Sequence, residues 1–347
     1  MAISDHDMTE AWKTVLSLSR LERGQMVTIL TGFHTHPQTL ATAKLAVQSF
    51  GATVICLDLQ PVNGEKAISR DLLAYVGTTP LSGNAPAMAA CKASHLVLDL
   101  MLLLFSPEQA EILQSGTKIL LAVEPPEILC RILPKQEDKV RIAAAAKMIE
   151  AASMMTVTSP AGTDLRCPLG QYPVVMEYGF VDEPGRWDHW PSGFALTWAN
   201  EGAAEGKIVL ERGDILLPTK SYVRDRITLT LDKGYATSIT GGLDAELLND
   251  YMESFADPEG YAISHIGWGS QPLARWSALE MYDREKTIAM DARAFAGNFL
   301  FSLGPNTEVG GTRNTPCHID IPMRGCTVRL DDLAVVVDGR LVEGISA

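Results

Sequence analysis

Along the first half of the chain, apolar residues recur at two alternating spacings. Positions 8–19 carry a helical stripe that leads into a short apolar strand at 25–31. Leu40, Ala43, Val47 and Phe50 then repeat at helical spacing after Thr39, and Gly51 suits the left-handed residue that closes a helix. A second strand is predicted at 53–59 and helical segments near 65–76 and 84–92. Residues 95–104 form a continuous apolar run that reads as a buried strand. Ser106, Pro107 and Gln109 have the pattern of a helix start, with an N-cap, a proline at the first helical position and a capping-box partner. A strand at 118–123 and an alanine-rich helix at 136–152 complete the alternation. Strands alternating with helices predict an α/β domain with an open, mainly parallel sheet.

Beyond residue 152 the pattern changes to short strands separated by turns, at 155–158, 164–167, 207–210, 214–217, 226–231, 236–240, 327–330, 333–337 and 340–342, with one clear helix at 243–254. The chain is accordingly divided into an α/β domain, 1–155, and a β-rich α+β domain, 156–347. Composition adds little to this picture: 46% hydrophobic and 20% charged residues over 347 positions are those of a soluble globular protein with ample core. The net charge of −13 repels phosphate backbones, so nucleic acid is not an expected partner. No apolar run reaches membrane-spanning length, and the acidic N-terminus lacks the apolar stretch of a signal peptide. The six cysteines are scattered without a CxxC pair, which reads as reduced thiols in a cytoplasmic protein.

The stretch 315–323, TPCHIDIPM, holds the strongest chemical signal. If it is a strand, His318 and Asp320 leave one face while Ile319 and Ile321 leave the other. An imidazole and a carboxylate side by side supply two ligands of a facial metal triad, the arrangement of non-haem Fe(II) oxygenases. A hydrogen-bonded structural pair is the alternative. The third ligand must come from elsewhere, and His265, in SHIGWG, is the candidate. The run 184–193, PGRWDHWPSG, reads either as the wall of a pocket for a flat polar ring or as a packed Ω-loop. Arg293 and Ser302 are candidate polar contacts, although an ion pair of Arg293 with Asp291 or Glu308 is the commoner explanation for such an arginine. His34 and His36, one residue apart after the first strand, read as a ligand pair or, since no third ligand is indicated, more commonly as polar loop residues before Pro37. The absence of GxGxxG after the first strand argues against a dinucleotide site.

The segments LLAVEPPEIL, PLGQYP, DEPGRWDHWPSG, SHIGWG, MDARAF, GNFLFSLGPNTEVGG and TPCHIDIP, in this order, resemble the 2,5-dihydroxypyridine 5,6-dioxygenases of bacterial nicotinate and nicotine breakdown. The resemblance covers nearly the whole chain. It implies an aminopeptidase-T-like fold, Fe(II) held by His265, His318 and Asp320, and insertion of both atoms of O2 across the C5–C6 bond to give N-formylmaleamate. Together with the acidic, soluble chain it suggests a homo-oligomer, and Leu104, Phe105, Glu177, His189, Arg293 and Ser302 are the candidate substrate contacts. One position departs from the family. Where the family carries a histidine that resembles an acid/base group, this chain has Phe105, which can stack on a ring but cannot accept a proton. Two origins fit: an engineered substitution that slows turnover, or a natural homologue that uses another base, for which His189 is the candidate. A metalloaminopeptidase of the same fold, a non-catalytic binder of aromatic acids and a dioxygenase for a related hydroxypyridine are the competing readings.

Overall fold

The computed structural model describes residues 3–32, 35–59, 79–103, 106–217 and 219–344. His34, Leu104, Phe105 and the helix expected near 65–76 lie outside the described residues. The chain forms two compact units, each drawn from several stretches of sequence. The first comprises Met1–Asp138, Glu177–Ser192 and Tyr282–Met290, and the second comprises Lys139–Met176, Gly193–Met281 and Asp291–Ala347.

In the first unit a five-stranded sheet runs Thr53–Asp58, Met26–Thr31, Leu96–Asp99, Lys118–Leu121 and Trp187–His189, with every pair parallel. The helices begin and end as their local chemistry dictates. Ser106 accepts the Gln109 N–H at 3.1 Å and so caps helix Pro107–Gln114. Gly51 follows helix Pro37–Ser49 with φ +70. His36 occupies the N-cap position of that helix without a side-chain capping bond. Trp12, on helix Asp5–Leu18, is fully buried and donates its ring N–H to the Thr39 carbonyl at 3.2 Å. The short helix Pro126–Arg131, too brief to show a period, was not expected from the pattern.

The run 95–104 does not form one continuous strand. The strand is Leu96–Asp99, and the buried Asp99 carboxylate then turns the backbone by accepting the N–H groups of Met101 (2.9 Å) and Leu103 (2.5 Å). Leu102, between them, takes the left-handed φ of +70. Apolar periodicity carries no trace of a carboxylate that competes for backbone donors. Burial pushes the Asp99 carboxyl up from 3.8 to about 6, against the pull of these N–H groups. The folded protein therefore keeps this proton where the unfolded chain has released it. Stability falls as pH rises from 3.8 to about 6, by something on the order of 3 kcal/mol. Asp99→Asn is expected to flatten this part of the stability profile, as measured by urea unfolding at several pH values. An unchanged slope in the variant would remove Asp99 as its source.

The second unit contains an eight-stranded antiparallel sheet, from Tyr235–Gly241 at one edge to Arg340–Leu341 at the other. A second antiparallel sheet places Ile319–Met323, Phe299–Leu303, Ile263–Gly269 and Phe194–Trp198 side by side. Of these, Phe299–Leu303, Ile263–Gly269 and Phe194–Trp198 were not expected from the pattern. They are buried on both faces, so they lack polar alternation. Gly267 and Gly269 further mask strand Ile263–Gly269, yet Gly267 is required: a Cβ there would collide with the Ala195 carbonyl oxygen of the paired strand. Among the described residues no helix is long and apolar enough to cross a membrane.

Candidate metal centre

The site lies on this second sheet. Asp320 sits in strand Ile319–Met323 and His318 immediately precedes it, so both side chains leave one face. Ser302 is paired with Asp320 on the neighbouring strand. On that strand's other side the register shifts: Ile263 faces Leu303 and Ile266 faces Phe301, which leaves Ser264 and His265 opposite Ser302. This extra residue is a β-bulge, a device that re-aims a side chain. Ser302 Oγ accepts the His265 N–H at 2.9 Å, so the hydroxyl stabilises the bulge from inside. Trp198 lies edge-on to the His265 ring, 5.8 Å between centroids.

The three side chains converge. Asp320 Oδ1 is 3.0 Å from Nε2 of both His265 and His318, and the two Nε2 atoms are 3.4 Å apart. With ligand bonds of about 2.1 Å, edges of this length subtend roughly 90–110° at one point, as ligands on one face of a metal do. All three residues are buried. Yet Asp320 Oδ1 receives no well-aligned hydrogen bond from the described residues. A buried carboxylate oxygen left unsatisfied beside two imidazole nitrogens is a donor set that a divalent cation completes. Among the described residues this is the group of His, Cys, Asp and Glu side chains close enough to hold a metal ion.

Electrostatics prepare the ligands. Burial opposes the charged form of Asp320, but His318, Arg293 and His265 outweigh it and hold the carboxyl well below the usual carboxylate range. Burial lowers the His265 imidazole below its ordinary value, against the attraction of Asp320, so its neutral, lone-pair-bearing form is favoured. Arg293 donates from Nε to Asp320 Oδ2 at 2.6 Å, which leaves Oδ1 for the metal position. Asp320 is not among the partners, Asp291 and Glu308, that sequence proximity suggests for Arg293. No local pattern signals a partner 27 residues away.

Several side chains of the segment 184–193 are engaged in packing, ion pairs and hydrogen bonds. Asp188 is fully buried, pairs with Arg186 at 2.7 Å and accepts backbone N–H groups from Tyr178 and Gly179. The Arg186 guanidinium lies 3.8 Å over the Tyr178 ring. Trp190 is buried against Trp12, 4.9 Å between ring centroids, and donates to the Ile132 carbonyl. The segment Trp187–His189 is a sheet strand rather than an Ω-loop. His189 is buried beside Trp187, and Glu177 accepts a bond from Ser192 at 3.4 Å.

Residues 7–343 match the family model of NicX, 2,5-dihydroxypyridine 5,6-dioxygenase. The chain belongs to this family. It is 54% identical over 342 residues to the 2,5-dihydroxypyridine 5,6-dioxygenase of Pseudomonas putida KT2440, covering 99% of this chain and 98% of that one. The solved structure of 2,5-dihydroxypyridine dioxygenase from the same organism superimposes with a TM-score of 0.96 at 53% identity, covering all of both chains. Wild-type AmpT from Thermus thermophilus superimposes with a TM-score of 0.62 at 14% identity, covering 97% of this chain and 99% of that one. The second likeness shows a shared fold alone, and it confirms the aminopeptidase-T-like architecture. Membership of the family makes the protein a dioxygenase.

Proposed function

We propose that this dioxygenase uses Fe(II) to open the ring of 2,5-dihydroxypyridine, with both atoms of one O2 entering across the C5–C6 bond to give N-formylmaleamate. The observation that carries the reading is the convergence of two imidazole nitrogens and one orphaned carboxylate oxygen, in a chain of this family. Bound Fe(II) supplies a route for electrons between an electron-rich ring and dioxygen, which otherwise react poorly. One carboxylate and two neutral imidazoles leave a net positive charge on a divalent ion, so the site favours the substrate as its anion. The Arg293 guanidinium, already on Asp320, adds to the field that attracts such an anion.

Forming the anion requires a proton acceptor. Phe105 cannot serve, and His189 is the proposed substitute. Leu104, Phe105, Glu177, His189, Arg293 and Ser302 are the proposed surroundings of the substrate. Of these, Ser302 has its hydroxyl engaged by the His265 N–H, so its first role is to hold a ligand. The proposal extends to a cytoplasmic homo-oligomer, which light scattering of the purified protein tests.

The competing metallopeptidase requires a second metal and further carboxylates. The described residues offer one cluster of three ligands. Anaerobic reconstitution with Fe(II), followed by oxygen uptake with 2,5-dihydroxypyridine, decides between them. The expected result is one O2 consumed per ring and two labelled oxygens in the product when 18O2 is used. No uptake despite bound iron would reject this substrate, and Zn(II)-dependent peptide hydrolysis would establish the peptidase.

A further inference from the structure

Arg313 stands at the bulge that aims His265, and its hydrogen bonds tie together the strands around it. The guanidinium is buried, 8% exposed. It donates to the carbonyl oxygen of Ile263, two residues before His265, at 2.8 Å. It donates to the carbonyl oxygen of Gly304, at the end of the Ser302 strand, at 3.2 Å. These are the two strands whose register slips at the bulge. Its remaining arm forms an ion pair with Glu201, which follows the third strand, Phe194–Trp198. The arginine thus supplies donors where the ladder is disrupted, and its counter-charge comes from the chain on the far side of the His265 strand.

The surrounding polar groups close the arrangement. Asn306, fully buried, accepts the Arg313 backbone N–H with Oδ1 at 2.8 Å and donates from Nδ2 to Glu201 and to the Tyr172 hydroxyl. Ser264, the other bulged residue, donates to the Pro305 carbonyl and accepts the Trp198 ring N–H at 3.1 Å. The loop 304–313 is therefore fastened to both sides of the bulge. It is also the connection that leads to His318. A displacement of the bulge by less than 1 Å would spoil the separations of about 3 Å at which His265 meets the other two ligands.

We propose that Arg313, with Glu201, is a positioning pair that sets His265 against His318 and Asp320 and so determines metal affinity. The inference rests on the reading that these three side chains hold the metal. A planar fork that reaches two carbonyl oxygens and a carboxylate at once is something arginine provides and lysine does not. Arg313→Lys keeps the charge and loses the fork. Groups that orient ligands from behind typically contribute about 10–100-fold to metal affinity.

The test is anaerobic Fe(II) titration of the parent, Arg313→Lys and Glu201→Gln apoproteins, at a temperature where circular dichroism shows each to be folded. Asp331→Ala, which removes the carboxylate that binds Ser153 in the same unit, supplies the baseline for a loss of stability alone. The expected result is a fall in Fe(II) affinity of tenfold or more in Arg313→Lys and Glu201→Gln, with Asp331→Ala binding as the parent does. A smaller fall in the folded variants, or an equal fall in Asp331→Ala, would overturn the inference. Should Arg313→Lys fail to fold, Glu201→Gln carries the comparison unaided. Failure of the parent to bind Fe(II) would instead reject the metal site itself.

Discussion

Asp320→Asn is expected to abolish Fe(II) binding and oxygen uptake together, at iron concentrations that saturate the parent. The substitution preserves shape and removes one negative charge, and that charge does two things. Through Oδ1 it completes the set formed with His265 and His318, each at 3.0 Å. Through Oδ2 it accepts from Arg293 at 2.6 Å. Without it, two neutral imidazoles face a cation beside an uncompensated guanidinium. Both the ligand and the local field are then wrong for a divalent ion. Removing one partner of a buried ion pair typically costs about 3–5 kcal/mol, so the apoprotein should also unfold more easily. Two measurements separate these effects: anaerobic iron titration by absorption, and thermal unfolding in the presence of a chelator. A folded variant that binds Fe(II) as tightly as the parent would show that the triad is a structural hydrogen-bonded cluster.

The second large effect runs in the opposite direction. Phe105→His should raise turnover of 2,5-dihydroxypyridine by about 10²–10⁴-fold, the usual contribution of one positioned general base. Fe(II) affinity should change little, because His265, His318 and Asp320 already supply a three-ligand set. The position immediately precedes Ser106, the N-cap of helix Pro107–Gln114, in the connection that follows a parallel strand. Open α/β sheets place their ligands at such carboxyl ends. The decisive comparison is kcat at saturating iron, with the pH dependence of kcat/KM recorded for both proteins. A new ionisation in the histidine variant, together with the faster rate, would identify the proton acceptor. Fast turnover by the parent would keep the dioxygenase and move the base elsewhere, with His189 first to be replaced. A change in iron occupancy alone would mean that residue 105 has no acid–base role.

Much of the architecture can be read from local pattern. Strand–helix alternation announces the parallel sheet, Ser106 and Gly51 mark helix ends as capping chemistry requires, and turn-rich segments announce the antiparallel part. What depends on a single polar group among apolar neighbours cannot be read this way. Asp99 ended a strand that looked continuous, because its carboxylate drew the backbone N–H groups of Met101 and Leu103. Strands buried on both faces, such as Phe299–Leu303, show no alternation to detect.

The same division holds at the metal centre. The sequence by itself determined that His318 and Asp320 share a face, because side chains in an extended chain repeat every two residues. It also nominated His265, in SHIGWG, as the third ligand, and its long motifs pointed to the family. Only the tertiary structure decided how His265 reaches the other two: a register slip opposite Ser302, held by Arg313 and Glu201 from distant loops. It likewise decided that Arg293 pairs with Asp320, and that Trp187–His189 joins a sheet whose other strands lie at Leu121 or earlier in the chain. Local periodicity reports which way a side chain points. Which groups meet depends on pairings between residues tens of positions apart, and those are settled by packing and buried charge.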